Sequence, residues 1–295
     1  MRHAIYLPNF GAWGEARAVA ETAREAEAAG WDGVFIWDHI DRAFPTDVVD
    51  PWVALAAAAM TTSSVKLGAL VTPIARRRPW KLARETVSVD RLSGGRLVFG
   101  AGLGSAGGAG AEWAAFSEEM DPGVRAGMLD EGLALLDALW SGEAVATGGA
   151  HYPVETGGFR PPALQRPRIP VWIAGGWPAP RPMRRAARWD GAFPLFGWGG
   201  PPGDRLDDAR ACIAMLRAER ERNGLAWEGF DVAHLSAPTP GEDPARGAEI
   251  AAPFAEAGVT WWLERLTPDE FGAEWEGEWP VEAMHERIRQ GPPRG

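Results

Sequence analysis

The chain predicts an α/β fold, specifically a (β/α)8 barrel of the TIM type. Eight short runs rich in Val, Ile, Phe and Trp alternate with eight longer Ala/Leu/Arg/Glu segments of helical period, the pattern of repeated βα units. The short runs are apolar throughout instead of alternating, as strands covered on both faces by helices require. A length of 295 residues suits a single domain, since one such barrel commonly uses about 250. The rival is a doubly wound open sheet, but the first turn, Pro8–Asn9–Phe10–Gly11, lacks the Gly-rich dinucleotide fingerprint.

Taken in order, the first strand is His3–Leu7, apolar up to Pro8, and the first helix is Glu15–Ala29. That helix carries Ala18, Ala20, Ala23, Ala26 and Ala29, small residues that allow close packing on the sheet, and Gly30 supplies a C-terminal stop. Strand Gly33–Trp37 follows at once, then helix Pro51–Thr61, strand Lys66–Val71 and helix Trp80–Leu92. Strand Arg96–Ala101 leads to helix Val124–Trp140. The stretch Ser141–Arg168 breaks the rhythm. Rich in Gly and Pro, it reads as an excursion over the barrel mouth with a short hairpin around His151–Val154. The remaining units are strand Pro170–Ala174 with helix Pro180–Arg188, Gly191–Leu195 with Asp204–Arg222, Asp231–Leu235 with Asp243–Glu256, and Val259–Leu263 with Val281–Gln290. A second Gly/Pro-rich loop, Phe196–Gly203, follows the sixth strand.

Composition narrows the function. A net charge of -10 argues against a nucleic-acid partner, which draws on clustered cations. The one dense basic run, Arg76–Arg77–Arg78, reads as a solvated loop. Cys212 is the only cysteine, so no intramolecular disulfide or cysteine zinc cluster can form, and its helical context predicts a buried packing position. The opening MRHAIYLPNFG has too short an apolar run for a signal peptide, and no stretch approaches the length of a membrane span. A cytoplasmic protein that does not engage membranes is expected.

In this fold the reacting groups sit at the C-terminal ends of strands. Asn9 and Phe10 follow strand one; Trp37, Asp38 and His39 follow strand two; Thr72 follows strand three. Gly102–Leu103–Gly104–Ser105 follow strand four, Gly175–Gly176–Trp177 strand five, Ser236 strand seven and Glu264 strand eight. Asp38 and His39 are the sharpest catalytic candidates, because an imidazole can exchange a proton near neutral pH. Adjacent residues on an extended chain face opposite ways, so one of the two can face the cavity while the other braces the loop. The Gly-rich turn from Gly102 to Gly108 lets backbone N–H groups approach a ligand closely, and is equally readable as a flexible connection. Gly175–Gly176, ending a strand before a helix, reads either as a phosphate turn or as a plain turn. The five histidines show no HxH or HExxH spacing, so no metal site is expected, and no GxSxG elbow is present. Little acid–base machinery remains, which suits chemistry carried by an organic cofactor. Of the 16 Trp, Trp37, Trp177, Trp198, Trp261 and Trp262 fall near strand ends, where most would pack and a few could line a pocket for a flat ring.

DGVFIWDHI at strand two, the block LGALVTPIARRRPWKLARETVSVDRLSGGRLVFGAGLG across strands three and four, MLDEGLALLDALWSGE, RPPALQRPRIPVWIAGGWP and RRAARWDGAFP together resemble the luciferase-like monooxygenases, over nearly the whole chain. The resemblance is to the shorter members that use reduced F420 or FMN. It implies a bacterial-luciferase-like barrel holding a flavin or deazaflavin ring in its mouth. By position, it implies a strand-two pair in Asp38 and His39, a polar group beside the ring in Thr72, and cofactor contacts at Gly102, Gly104 and Trp177. It further implies a phosphate turn at Gly175 and Gly176, and a bulge with a non-prolyl cis peptide at Leu70–Val71. Sugar-phosphate dehydrogenases of the family carry a Glu where this chain has Ser105, which counts against that substrate; the insertion of the long light-emitting subunits is also missing.

These readings lead to an oxidoreductase or monooxygenase acting on a small organic molecule by hydride transfer or O₂ activation, with His39 exchanging the proton. The alternative is a non-catalytic barrel that binds the same cofactor, which turnover of reduced cofactor would distinguish. F420 is preferred over FMN on an association alone: the Arg-rich composition, with only Lys66 and Lys81, suggests a GC-rich genome of the kind found in F420-making bacteria. A separate reductase supplying reduced cofactor and a homodimeric state are left open.

Overall fold

The computed structural model describes residues 1–105, 112–196 and 205–294. Parts of two expected loops, at 106–108 and 197–203, lie outside these residues, as do Trp198 and Asp204. Strands β1 (Arg2–Leu7) and β2 (Gly33–Ile36) flank helix α1 (Ala16–Ala28), and α2 (Pro51–Thr61) leads to β3 (Lys66–Ala69). After β4 (Thr72–Pro73) come α3 (Pro79–Leu92), β5 (Phe99–Gly102), α4 (Glu112–Ala115) and α5 (Pro122–Ser141). A two-stranded hairpin of β6 (Val145–Thr147) and β7 (Val154–Thr156) precedes β8 (Val171–Trp177) and α6 (Pro180–Ala186). The chain then alternates through β9 (Gly191–Phe196), α7 (Leu206–Arg222), β10 (Asp231–Ser236), α8 (Pro244–Ala257), β11 (Trp261–Arg265) and α9 (Val281–Arg289).

Nine strands pair in the order β3-β2-β1-β11-β10-β9-β8-β5-β4, and every pairing is parallel. The ring closes where the Leu67 N–H donates to the Arg96 carbonyl at 3.1 Å and the Val98 N–H donates to the Leu67 carbonyl at 2.8 Å. Because β3 and β4 are two halves of one barrel strand, the expected (β/α)8 architecture is the observed one. The interruption of the third strand falls at Leu70–Val71, whose peptide bond is cis. Helix starts are set by local chemistry. Asp50, Asp121 and Asp243 each accept hydrogen bonds from first-turn N–H groups, and each is followed by a Pro at the first helical position.

Two apolar layers form. Between sheet and helices lies a continuous core that includes Cys212, fully buried in α7 as expected. Inside the ring, Ala4, Tyr6, Phe35, Leu70, Val98, Trp172, Phe193 and Trp261 form a second cluster. The rings of Phe35, Trp172 and Trp261 lie 5.3–5.6 Å apart and plug the barrel. Glycines opposite these bulky groups make the room. A Cβ at Gly68 would stand 2.3 Å from the Val98 carbonyl oxygen, and one at Gly191 2.4 Å from the Trp172 ring. The ring is therefore a packed core and not a pore.

Two expectations about local structure change. Strand five runs on to Trp177, with Gly175 and Gly176 laddered to Pro194 and Leu195, so these glycines lie in a strand and the turn comes later. The 141–168 excursion makes its contacts along the outer helices. Glu131 of α5 accepts the His151 N–H at 2.9 Å, and Asp90 of α3 accepts the Leu164 N–H at 2.6 Å. It contributes no lining residue to the mouth cavity.

Candidate functional site

The C-terminal strand ends surround a cavity of about 550 Å³, within the usual range for small-molecule sites. Its floor is Tyr6, Trp37 and Phe193, lying on the aromatic plug. Leu70, Val71 and Pro73 form one wall, Gly102 to Ser105 another, and Ala174 to Trp177 with Leu195 a third. Glu112, Trp113 and Arg185 complete the rim. The Tyr6 hydroxyl donates to the Leu70 carbonyl, tying the floor to the third strand, and burial pushes that phenol far above its ordinary pKa.

Asp38, His39, Leu70, Val71, Gly102, Gly104, Gly175, Gly176 and Trp177 all line this cavity. Thr72 does not. It is fully buried, and its hydroxyl has no partner. The four glycines divide by what surrounds them. A Cβ at Gly175 would fall 2.0 Å from Pro182, so its bareness lets α6 pack; Gly104 has φ +71° and lies against Trp113. A Cβ at Gly102 would meet the Val71 side chain at 2.7 Å, whereas at Gly176 it would meet nothing within 4 Å. Gly176 faces open space.

The strand-two pair separates into a buried brace and a partly exposed ring at the cavity. Asp38 accepts from Arg76 at 2.8 Å and from Arg77 at 2.7 and 2.9 Å, and Arg76 also donates to the Asp38 carbonyl at 2.6 Å. Its side chain is fully buried, so Asp38 anchors the loop. The basic run expected to be solvated is thus corrected: the Arg76 side chain is buried and Arg77 half-buried, both paired with Asp38, and only Arg78 is exposed. A carboxylate taken out of water needs compensating charge, and these two guanidinium groups provide it. His39 remains partly exposed at the cavity, with its ring against Phe10 and Trp37 at 5.8 and 5.7 Å.

Glu112 was not singled out by sequence reasoning, and it proves central. It lies 73 positions from His39, in a short helix after strand four, and no spacing rule links the two. One oxygen stands 3.2 Å from His39 Nδ1 and also pairs with Arg76; the other accepts the N–H groups of Ile40 at 2.9 Å and Asp41 at 3.0 Å. Burial alone would raise its pKa. The hydrogen bond from His39, the Arg76 charge and the Ile40 N–H outweigh that and hold it down at about 2. A carboxylate therefore does reach the strand-four side of the cavity, from position 112, where position 105 is Ser.

Other strand-end candidates are structural. The Asn9 amide donates to the carbonyls of His39 and Val49, and its carbonyl accepts the His39 N–H. Ser236 donates to the Ala237 carbonyl. Glu264 points away from the cavity, into a buried contact with Arg287 and Thr239. Trp261 belongs to the plug, and Trp262 packs outside the ring against His234 and Phe254. Among the described residues no cluster of His, Cys, Asp and Glu could hold a metal ion, and no helix is long and apolar enough to cross a membrane.

Fold and cavity define a class: a parallel (β/α)8 barrel with a small-molecule site at the C-terminal mouth. The sequence profile of the luciferase-like monooxygenases matches residues 1–291, and the chain belongs to that family. It is 34% identical over 179 residues to an F420-dependent glucose-6-phosphate dehydrogenase of Intrasporangium calvum, covering 56% of this chain and 50% of that one. The chain thus spans about half the length of this curated relative. Two solved structures share the fold. An F420-dependent secondary alcohol dehydrogenase in complex with an F420–acetone adduct superposes with a TM-score of 0.75 at 16% identity, covering 99% of this chain and 98% of that one. The monooxygenase RslO1 of Streptomyces bottropensis superposes with a TM-score of 0.74 at 21% identity, covering 98% and 97%.

Proposed function

We propose that this protein is an oxidoreductase that binds F420 or FMN in the barrel mouth and acts on a small organic substrate by hydride transfer or monooxygenation. The observation that carries the reading is the cavity itself: an aromatic floor, a bare Gly176 facing open space, and a partly exposed imidazole on one rim. The residues present fit a flat tricyclic ring. Tyr6, Trp37, Phe193, Leu70 and Val71 would hold its faces and edges, while Gly176, Trp177 and Arg185 would receive its polar tail. The indole N–H of Trp37, in the cavity floor, is a buried polar group without a protein partner.

The bound ring supplies two-electron redox chemistry. The chain's own contribution is to exclude water through the plugged barrel, to position substrate beside His39, and to take or give the substrate proton at that imidazole. F420 is favoured by the F420 dependence of the Intrasporangium calvum relative and of the alcohol dehydrogenase with the same fold. Titration of the purified protein with F420 and with FMN, followed by fluorescence quenching, tests this. Tighter F420 binding is expected; tighter FMN binding reverses the cofactor assignment, and binding of neither overturns the function. Reoxidation of the bound reduced cofactor by an acceptor would set catalysis apart from simple storage.

A further inference from the structure

We infer that Glu112 is a positioning residue for His39: it holds the imidazole in the neutral tautomer protonated on Nδ1, leaving Nε2 as the atom that accepts a proton. This rests on the proposed use of His39 as a proton-exchanging group. The argument comes from the donors and acceptors on either side of the ring. An ionised carboxylate can only accept, so at 3.2 Å the His39 Nδ1 must be the donor to Glu112. On the other side, Arg42 Nη1 lies 3.5 Å from Nε2, and a guanidinium can only donate, so Nε2 must present its lone pair. Both neighbours select the same tautomer.

The arrangement also resists reorientation. Glu112 is itself held by Arg76 and by the N–H groups of Ile40 and Asp41, so its oxygen cannot follow a wandering ring. Phe10 stands edge-on to the imidazole at 79°, and Trp37 is tilted against it at 52°. Glu112 and Arg42 are the charged groups that meet the His39 ring among the described residues, and Asp38, Asp41, Arg76 and Arg77 are neighbours in chain or partners of these groups.

Glu112→Gln separates this role from loop bracing. The glutamine carbonyl can still accept from Ile40 and Asp41, but its NH₂ then faces Nδ1 and selects the opposite tautomer, the logic by which a triad Asp→Asn change disables a serine protease by about 10⁴. With ¹⁵N-labelled histidine, and the His39 signals identified by their loss in His39→Ala, the wild-type spectrum should show Nδ1 protonated and Nε2 bare in the neutral ring. In Glu112→Gln the proton should move to Nε2. Turnover should fall by roughly 10²–10⁴ with cofactor affinity and KM unchanged, and the double variant should be no slower than His39→Ala alone.

A wild-type ring protonated on Nε2 overturns the inference, whether or not the variant folds. So does an undiminished Glu112→Gln penalty in the His39→Ala background. A protein that turns over no reduced cofactor would instead sink the functional reading, while the tautomer measurement still decides the role of Glu112.

Discussion

His39 and Asp38 are neighbours in sequence with opposite fates, and burial explains the difference. Asp38 is enclosed between two arginines, and removing one partner of such a buried pair typically costs about 3–5 kcal/mol, so its substitution reports on stability before activity. His39 keeps solvent contact and touches the cavity. His39→Ala should slow turnover by roughly 10²–10⁴ while cofactor affinity stays as it was; a rate equal to wild type removes its proton-transfer role. Glu112 has a folded pKa of about 2 against an ordinary 4.5, so its ionisation stabilises the fold fully above 4.5 and loses that contribution as pH falls through about 2. Urea unfolding at stepped pH should show stability declining across this window, with a shallower decline in Glu112→Gln. Equal slopes would mean that other carboxylates dominate acid unfolding.

At the level of elements, strand five decides how the glycine pair is used. Both glycines lie in the β8 ladder, but one faces α6 and the other the cavity. Gly175→Ala therefore forces a clash with Pro182, whereas the Cβ of Gly176→Val meets no protein atom within 4 Å. The expected outcome for Gly176→Val is an unchanged melting temperature with cofactor affinity reduced. Retained affinity would move the binding surface away from strand five. The third strand shows the same division of labour, since Val71 and Pro73 line the cavity while Thr72 is buried away from it.

At the scale of the whole molecule, the filled ring sets the cavity at the C-terminal mouth. Aromatic side chains and their facing glycines fill the lower ring, so ligand binding and core packing are stacked along one axis. Trp172→Ala should cost about 3–5 kcal/mol by opening a cavity in that plug, measured as a lower urea midpoint, with the cofactor-binding constant little altered at the mouth. A large loss of binding without loss of stability would show that plug and site are not separate layers.

The sequence by itself determined the architecture, because apolar periodicity and the Asp–Pro helix starts are local signals that agree along the whole chain. Nine of the ten residues it singles out line one cavity, since strand ends are readable from the runs that precede them. Tertiary structure alone decided the rest. Whether Arg76 and Arg77 face solvent or Asp38, whether Glu264 faces the cavity or Arg287, and whether Glu112 belongs to the site at all depend on which groups meet across 23 to 73 residues of chain. Charge burial is set by that meeting, because an ion leaves water only where a distant partner is already in place.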